Sequence, residues 1–554
     1  MAAQITHNIA SHLSVMAEKQ PWRAAVVFPH SRDRQGRVSY THYTFRQLDK
    51  ASDTLARGFD AIGLKRGMRT ALMVPPSLDF FALTFALFKL GAIPVLIDPG
   101  IGLSSLGKGL ANAEPQAFIG ISKAHIARVL FGWARNTVKL KITVGPHAWT
   151  GGMTLEEIRK IGLARPALQD SPPEPDETAA ILFTSGSTGP SKGVVYTHEY
   201  FSEQVRHLKE IYGIEPGEID LPTFPLFALF GPALGMTAII PDMNPTRPAD
   251  VDPVKILEAV ENFGVTNMFG SPALINRVGR YGETHGTRLT TLRRVISAGA
   301  PASAKVLSRF AALLPPGVEV FTPYGATECL PVASTGTGEF LGETRFKTAT
   351  GGGVCVGQPI NGVTAKIIRI TDDPIPRWDD SLELPRGQIG EIAVKARHAT
   401  RHYYNQPEAT ALAKIPEAHG TGFYHRMGDV GYLDERGRIW FCGRKAHRVV
   451  TPDATFFTIP CEGVFNAHPA VYRSALVGIQ RNGVTEPVIC VELEKNNPGD
   501  PAALRAELQT LAQKYPHTRA IKTILFHPSF PVDIRHNAKI FREKLAVWAQ
   551  RHTP

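Results

Sequence analysis

The densest run of chemistry in the chain is Thr184-Ser-Gly-Ser-Thr-Gly-Pro-Ser-Lys-Gly193. Its three glycines leave the backbone free to curl around an anion, and five hydroxyls with Lys192 supply donors. That is what the phosphate tail of a nucleotide needs. The G-x4-G-K-S/T spacing of a Walker A loop is missing, so taken alone the run reads either as a phosphate loop of another kind or as a Ser/Thr/Gly surface loop. Further along come Tyr324-Gly-Ala-Thr-Glu328, Met427-Gly-Asp-Val-Gly-Tyr-Leu-Asp434 and the pair Gly443-Arg444. Near the end stands Lys539, followed by Ile540 and Arg542.

Together with Lys89-Leu-Gly-Ala-Ile-Pro-Val-Leu-Ile-Asp98 and Gly387-Gln-Ile-Gly-Glu391, these runs resemble, in order and over nearly the whole chain, the motifs of the adenylate-forming superfamily. That superfamily comprises acyl-CoA synthetases, luciferases and the adenylation domains of peptide synthetases. The resemblance implies an enzyme that uses ATP and Mg2+ to activate a carboxylic acid as its acyl-adenylate. A carboxylate attacking the α-phosphate brings two anions together, so a metal ion and a cationic side chain are needed to screen them. By resemblance, Thr184, Ser185, Gly186, Ser187, Thr188, Gly189 and Lys192 cradle the phosphates. Tyr324 and Gly325 lie against one side of the adenine, with Gly299, Ala300 and Pro301 on the other. Thr327 hydrogen-bonds the α-phosphate, and Glu328 helps hold Mg2+, a hard ion suited to carboxylate oxygen. Asp429 accepts the ribose hydroxyls and Arg444 supports it. Lys539 matches the superfamily's C-terminal catalytic lysine, although the glycine and threonine that normally precede it are absent.

Two departures bear on the acyl acceptor. Thioester-forming members continue past the Gly-Arg pair as G-R-x-D-D-x-I-K-x-x-G-x-R-I, and the later glycine lets the pantetheine arm of CoA pass. Here the lysine, glycine and arginine positions hold Val450, Asp453 and Thr455. A residue with a Cβ and a charge does not copy that glycine. Second, Pro225-Leu-Phe-Ala-Leu-Phe-Gly231 has Ala228 where the superfamily has histidine. Phe227, Ala228, Phe230 and Leu234 are the expected lining of an apolar acyl pocket, with ordinary core packing as the alternative. The departures resemble the β-lactone-forming branch of the superfamily, in long-chain olefin biosynthesis. This branch implies a 2-alkyl-3-hydroxy long-chain acid whose own hydroxyl is the acceptor, and other enzymes of that pathway as partners. A long-chain acyl-CoA ligase, an acyl-AMP ligase feeding a carrier protein, and a non-catalytic nucleotide-binding or membrane-surface protein are the competing readings.

The elements that must position these residues alternate. Residues 46–62 show apolar positions at helical spacing, stopped by Gly63; Thr70–Val74 reads as a buried strand, Asp79–Leu90 as a helix capped by Gly91, and Ile93–Ile97 as the next strand. Ala179–Phe183 is a strand leading into the phosphate loop, and Tyr200–Ile211 a helix after it. The rhythm predicts an α/β fold of stacked, mostly parallel sheets covered by helices. From about Val356 to Val394 short strands and turns suggest a small β-barrel or a meander. After Gly443 a short helix, strands and two longer helices read as a small, mobile α+β unit. The expected division is therefore 1–443 and 444–554, with a hinge near 444–446.

The chain has 554 residues, 43% hydrophobic and 20% charged, which excludes a disordered protein, a coiled coil or a small disulfide scaffold. Its net charge is +11, and residues 443–554 carry 15 Lys/Arg against 9 Asp/Glu. No basic block is interleaved with aromatics, so nucleic acid is not expected as a partner. Five scattered cysteines without a C-x-x-C pair, and an N-terminus without a signal-peptide pattern, point to the cytoplasm. Leu221–Pro241 lacks charge over a bilayer's length, but Pro222, Pro225 and Pro232 break it. It reads as buried core or a pocket wall, not a transmembrane segment.

Overall fold

The computed structural model describes residues 6–97, 102–168, 172–183, 191–494, 500–533 and 539–553. Two large sheets form the bulk. One has seven strands, with Arg69–Met73, Ile93–Ile97, Ala117–Ile121, Leu140–Val144 and Thr178–Phe183 parallel in its body and Gly193–Thr197 as an antiparallel edge. The other has eight. Ala24–Arg32, Ile219–Pro222, Thr237–Ile239, Asn267–Gly270, Arg294–Ser297 and Val320–Ala326 run parallel, and antiparallel Val38–Thr44 and Cys329–Gly336 close its two edges. The strand-helix alternation read from the sequence builds both bodies.

The helices between them follow local signals. Phe45–Ala61 begins with a capping box, in which Thr44 and Gln47 satisfy each other's backbone N–H. It buries Leu48, Leu55 and Phe59. Leu78–Leu90 is capped by Ser77 and ends at Gly91, whose φ of 72° suits glycine. That helix is apolar nearly all round and packs between the other two layers, from Phe80 to Phe88. Leu221–Pro241 becomes two strand ends and two short helices, Pro225–Ala228 and Phe230–Leu234. Among the described residues no helix is long and apolar enough to cross a membrane.

Residues 354–444 make the third layer, a six-stranded antiparallel sheet containing Gly390–Lys395, Phe423–Leu433 and Ile439–Arg444. The small barrel expected here takes the form of a sheet with an open strand order. Its centre holds the ion pair of Arg426 and Glu391 at 2.7 Å, with both side chains almost wholly buried. Beyond residue 448, Val471–Arg481 and Val484–Leu493 form a hairpin, with Thr523–Phe526 parallel alongside. Two apolar clusters in this region draw only on residues 449–549. All five cysteines are buried and free.

Under the short helix Phe230–Leu234 lies a buried carboxyl, Asp220. It accepts a hydrogen bond from Asn267 Nδ2 at 2.5 Å, and burial lifts its pKa to about 7. The folded chain therefore holds a proton there that the unfolded chain gives up near pH 4. Stability falls as pH rises from about 4 to 7 and levels off above. Asp220→Asn, which copies the neutral acid, is expected to match the parent only below about pH 4, near pH 3.5, and to exceed it at pH 8 by at most about 4 kcal/mol. Urea unfolding at the two pH values measures the difference.

Candidate active site

A cavity of about 780 Å³ opens where the three layers meet. Its wall includes Lys192, Gly299, Ala300, Pro301, Tyr324, Gly325, Thr327, Glu328, Asp429, Arg444 and Lys539. Residues more than 340 apart in sequence are thereby brought to one space. The loop residues Thr184, Ser185, Gly186, Ser187, Thr188 and Gly189 lie outside the described residues.

The stems of that loop are described, and they correct the strand-loop-helix expectation. Thr178–Phe183 pairs antiparallel with Gly193–Thr197, with Phe183 opposite Gly193. The helix His198–Tyr212 starts only after this second strand, capped by Thr197. The run thus joins the two strands of a hairpin, and no helix N-terminus follows it directly.

Thr327 and Glu328 are the two residues between the paired Ala326 and Cys329, at the tip of an antiparallel hairpin. Gly325 stands where a Cβ would come within 2.6 Å of the Cys329 carbonyl oxygen, so the tip closes only on glycine. The turn is held from three directions. Tyr196 and Tyr200 donate their hydroxyls to the Thr327 carbonyl at 2.7 and 3.2 Å. The Thr400 N–H donates to the Glu328 carbonyl at 2.8 Å. Tyr403 Oη donates to Glu328 Oε1 at 2.6 Å, and Lys192 Nζ lies 4.9 Å from the centre of the Tyr403 ring. Behind the turn, buried Lys414 donates to the Thr400 carbonyl. Burial lowers its pKa to about 8, against the opposing pull of Glu328.

On the facing sheet, Asp429 and Arg444 are directly opposite on neighbouring strands and 3.0 Å apart. Tyr324 Oη donates to Asp429 Oδ2 at 2.8 Å, which ties the two layers together. Burial raises the Asp429 pKa, while Arg444 and the Tyr324 hydroxyl oppose the rise. Its Oδ1 is buried and faces the Arg444 guanidinium at 3.0 Å. His425, on the same strand, lines the cavity, and burial holds it neutral.

Lys539 reaches the wall from the C-terminal region. Its carbonyl accepts from the Asp533 N–H at 2.9 Å. Three residues on, Arg542 grips the buried Glu462 with two bonds of 2.6 and 3.0 Å and also donates to the Leu476 carbonyl. Arg542 thus fixes the end of this segment both to the small three-stranded sheet and to the helix Thr458–Asn466.

The apolar end of the cavity is lined by Phe224, Leu226, Phe227, Leu229, Phe230 and Ala233. Ala228 and Leu234, expected here, are not on the wall; both are buried in the core. Each lies on a very short helix, broken by Leu229, whose inner side packs onto the main core. Val450, Asp453 and Thr455 sit on an exposed hairpin, Val449–Val450 against Thr455–Phe456, away from the cavity wall. Tyr196, Tyr200, Tyr403 and Lys414 escaped the sequence reading. Only the hydroxyl-rich local pattern Tyr196-Thr-His-Glu-Tyr200 hinted at them.

Comparison with known proteins identifies the family. A family model described as AMP-binding enzyme matches residues 13–404. The chain is 47% identical over 547 residues to the olefin beta-lactone synthetase of Stenotrophomonas maltophilia, covering 98% of each chain. It is also 47% identical over 550 residues to the protein of the same description from Xanthomonas campestris pv. campestris, covering 98% of this chain and 97% of that one. The fold superposes on the amide bond synthetase McbA of Marinactinospora thermotolerans with a TM-score of 0.77 at 22% identity, over 98% and 99% of the two chains. On the family match and on near full-length identity to both relatives, the chain belongs to the AMP-binding, adenylate-forming family of enzymes.

Proposed function

We propose that the protein activates a long-chain 2-alkyl-3-hydroxy acid with ATP and then closes it to a β-lactone. The observation that carries this reading is the 47% identity, over nearly the full length, to two proteins described as olefin beta-lactone synthetases. Support comes from the cavity, whose polar end holds Asp429, Arg444, Glu328 and Lys539 and whose other end is aromatic.

ATP fits the polar end. The Asp429 carboxylate, held by Arg444 and Tyr324, suits the ribose hydroxyls, Tyr324 with Gly299–Pro301 suits the base, and Lys192 suits the phosphates. Mg2+ fits as well, since Glu328 offers a hard carboxylate already oriented by Tyr403. Among the described residues no group of three or more His, Cys, Asp or Glu forms a metal cage. That suits an ion held by one carboxylate and the substrate's own phosphates. When bound, it would screen the phosphate charge.

In the first step the substrate carboxylate oxygen attacks the α-phosphorus and pyrophosphate leaves. Lys539 neutralises charge building between the two anions. In the second, the substrate's 3-hydroxyl oxygen attacks the adenylated carbonyl carbon, the proton leaves that oxygen, and AMP departs with the C–O bond electrons. Holding nucleophile and electrophile in one molecule removes the need for an external acceptor. Val450, Asp453 and Thr455 stand at positions where thioester-forming members carry lysine, glycine and arginine, which supports dispensing with CoA. The units 1–443 and 444–554 are proposed to move about residues 444–446, with Lys445 as the fixed side. Its Nζ donates to the Thr371 carbonyl at 2.8 Å and lies 3.3 Å from Glu391.

Three outcomes are expected. Lys539→Ala lowers pyrophosphate exchange by roughly 10²–10³-fold while ATP still binds; a rate within a few-fold of the parent would assign the role to another cation. Asp429→Ala weakens ATP by about 1–3 kcal/mol without altering the choice of acid, by calorimetry and competition assays. A 3-hydroxy acid with ATP and Mg2+ alone yields β-lactone, AMP and pyrophosphate by mass spectrometry. The matching 3-deoxy acid stops as bound acyl-adenylate. Accumulation of an acyl-CoA with CoA-stimulated turnover would overturn the lactone reading and leave an acyl-CoA ligase.

A further inference from the structure

The seven-stranded sheet carries at one end an outward apolar surface that none of the described residues covers. In the helix Ser122–Leu130, His125 is buried while Ile126, Val129 and Leu130 are exposed, Leu130 at 74%. A surface helix normally turns such residues inward; this one presents them to solvent. The next residue, Phe131, is 54% exposed and stacks on Trp133 at 5.4 Å between ring centres. Trp133 in turn packs against Gly107, where a Cβ would come within 2.8 Å of its Nε1. Exposed Leu103 lies one helical turn before Gly107, on the same face of the helix Leu103–Ala113. The loop after Leu140–Val144 starts beside the first helix, since a Cβ on Gly145 would sit 3.4 Å from Ser122 Oγ. That loop holds out Trp149, which is 79% exposed.

The charge around this surface has one sign. Residues 115–155 contain five Lys/Arg and no Asp or Glu. Lys123, Arg135 and Lys139, with Lys108 on the neighbouring helix, are exposed, and none forms an ion pair among the described residues. Arg128 is different: its guanidinium lies over the Phe118 ring and faces inward. Adjoining aliphatic and aromatic side chains, a projecting tryptophan and unopposed cations match the two halves of an anionic lipid surface, acyl boundary and headgroup. A protein partner would have to bring an apolar patch ringed by acids, whereas a bilayer presents both everywhere.

We propose that the end of the sheet formed by the helix Ser122–Leu130, Phe131 and the Trp149 loop docks the enzyme onto anionic membrane surface without spanning it. The surface is separate from the catalytic cavity and does not depend on which acceptor takes the acyl group. For an enzyme that draws its acid from a bilayer, it would also set the distance the substrate must travel.

Flotation of the full-length protein with vesicles tests this. Phosphatidylcholine vesicles containing roughly 30% phosphatidylglycerol should bind it at least about ten-fold more tightly than phosphatidylcholine alone, and added salt should weaken the binding. Lys123→Gln with Arg135→Gln should lower affinity about 25-fold, near five-fold per cation. Leu130→Ser with Phe131→Ser should lower it at least about ten-fold. Both double variants should keep the parent's thermal midpoint and its AMP release with a short, water-soluble 3-hydroxy acid. The proposal fails if the parent floats with neither vesicle, or if the variants float as the parent does. It also fails if light scattering shows an oligomer that Leu130→Ser with Phe131→Ser dissolves and no vesicle binding, since the face would then join copies of the chain.

Discussion

The rest of the site depends on the two-residue turn Thr327-Glu328. A hairpin tip this short has no strength of its own, and its carbonyls point away from any ladder partner. Each is satisfied by a different layer: the Thr327 carbonyl by tyrosines on and after the edge strand of the seven-stranded sheet, the Glu328 carbonyl by the segment leading into the antiparallel sheet. Buried carbonyls must be paired or they cost about 1–3 kcal/mol each. The three layers therefore cannot separate without exposing or orphaning the turn, and the cavity lies where they are forced to meet.

Buried charge plays a related part at two other places. Arg426 with Glu391, and Arg542 with Glu462, are both sequestered, and such pairs add little net stability over apolar packing. What they supply is position. The first fixes the strand that carries Asp429 and offers Glu391 to Lys445 at the start of the proposed hinge. The second fixes the helix start that follows Lys539. Removing one partner would strand a charge in the interior, so both pairs are expected to resist change more than surface contacts do.

Much of this was legible in the chain. Helical spacing over 46–62 announced a helix, Gly91 announced the end of another, and the parallel strands were evident as short apolar runs between helices. The residues proposed to face the nucleotide were recognisable because their types recur in a fixed order, and the structure sets Tyr324, Glu328, Asp429, Arg444 and Lys539 on one cavity. The strand Gly193–Thr197 was missed because an edge strand of five residues is defined by the neighbour it pairs with, not by periodicity. Tyr196 and Tyr200 were missed for the same kind of reason, since their partner is a main-chain atom some 130 residues away. Ala228 and Leu234 were assigned to the pocket although helices of four and five residues have too few turns to reveal which side faces inward.

The hairpin that carries the phosphate loop has a thermodynamic consequence. Lys192 stands at the start of the strand Gly193–Thr197, and Tyr196, which anchors the acidic turn, lies within it. Tyr403 touches both sides again, under the lysine and on the Glu328 carboxylate. Two charges of opposite sign, on two different hairpins, are thus joined through one short strand and one tyrosine. Any ordering of that element by an anion at the loop is felt by a cation at the turn. Linkage requires the effect to be mutual, with one coupling free energy and one factor in both directions. On the proposed reading of this site, nucleotide and metal ion would then load as a cooperative pair, with the strand itself as the messenger.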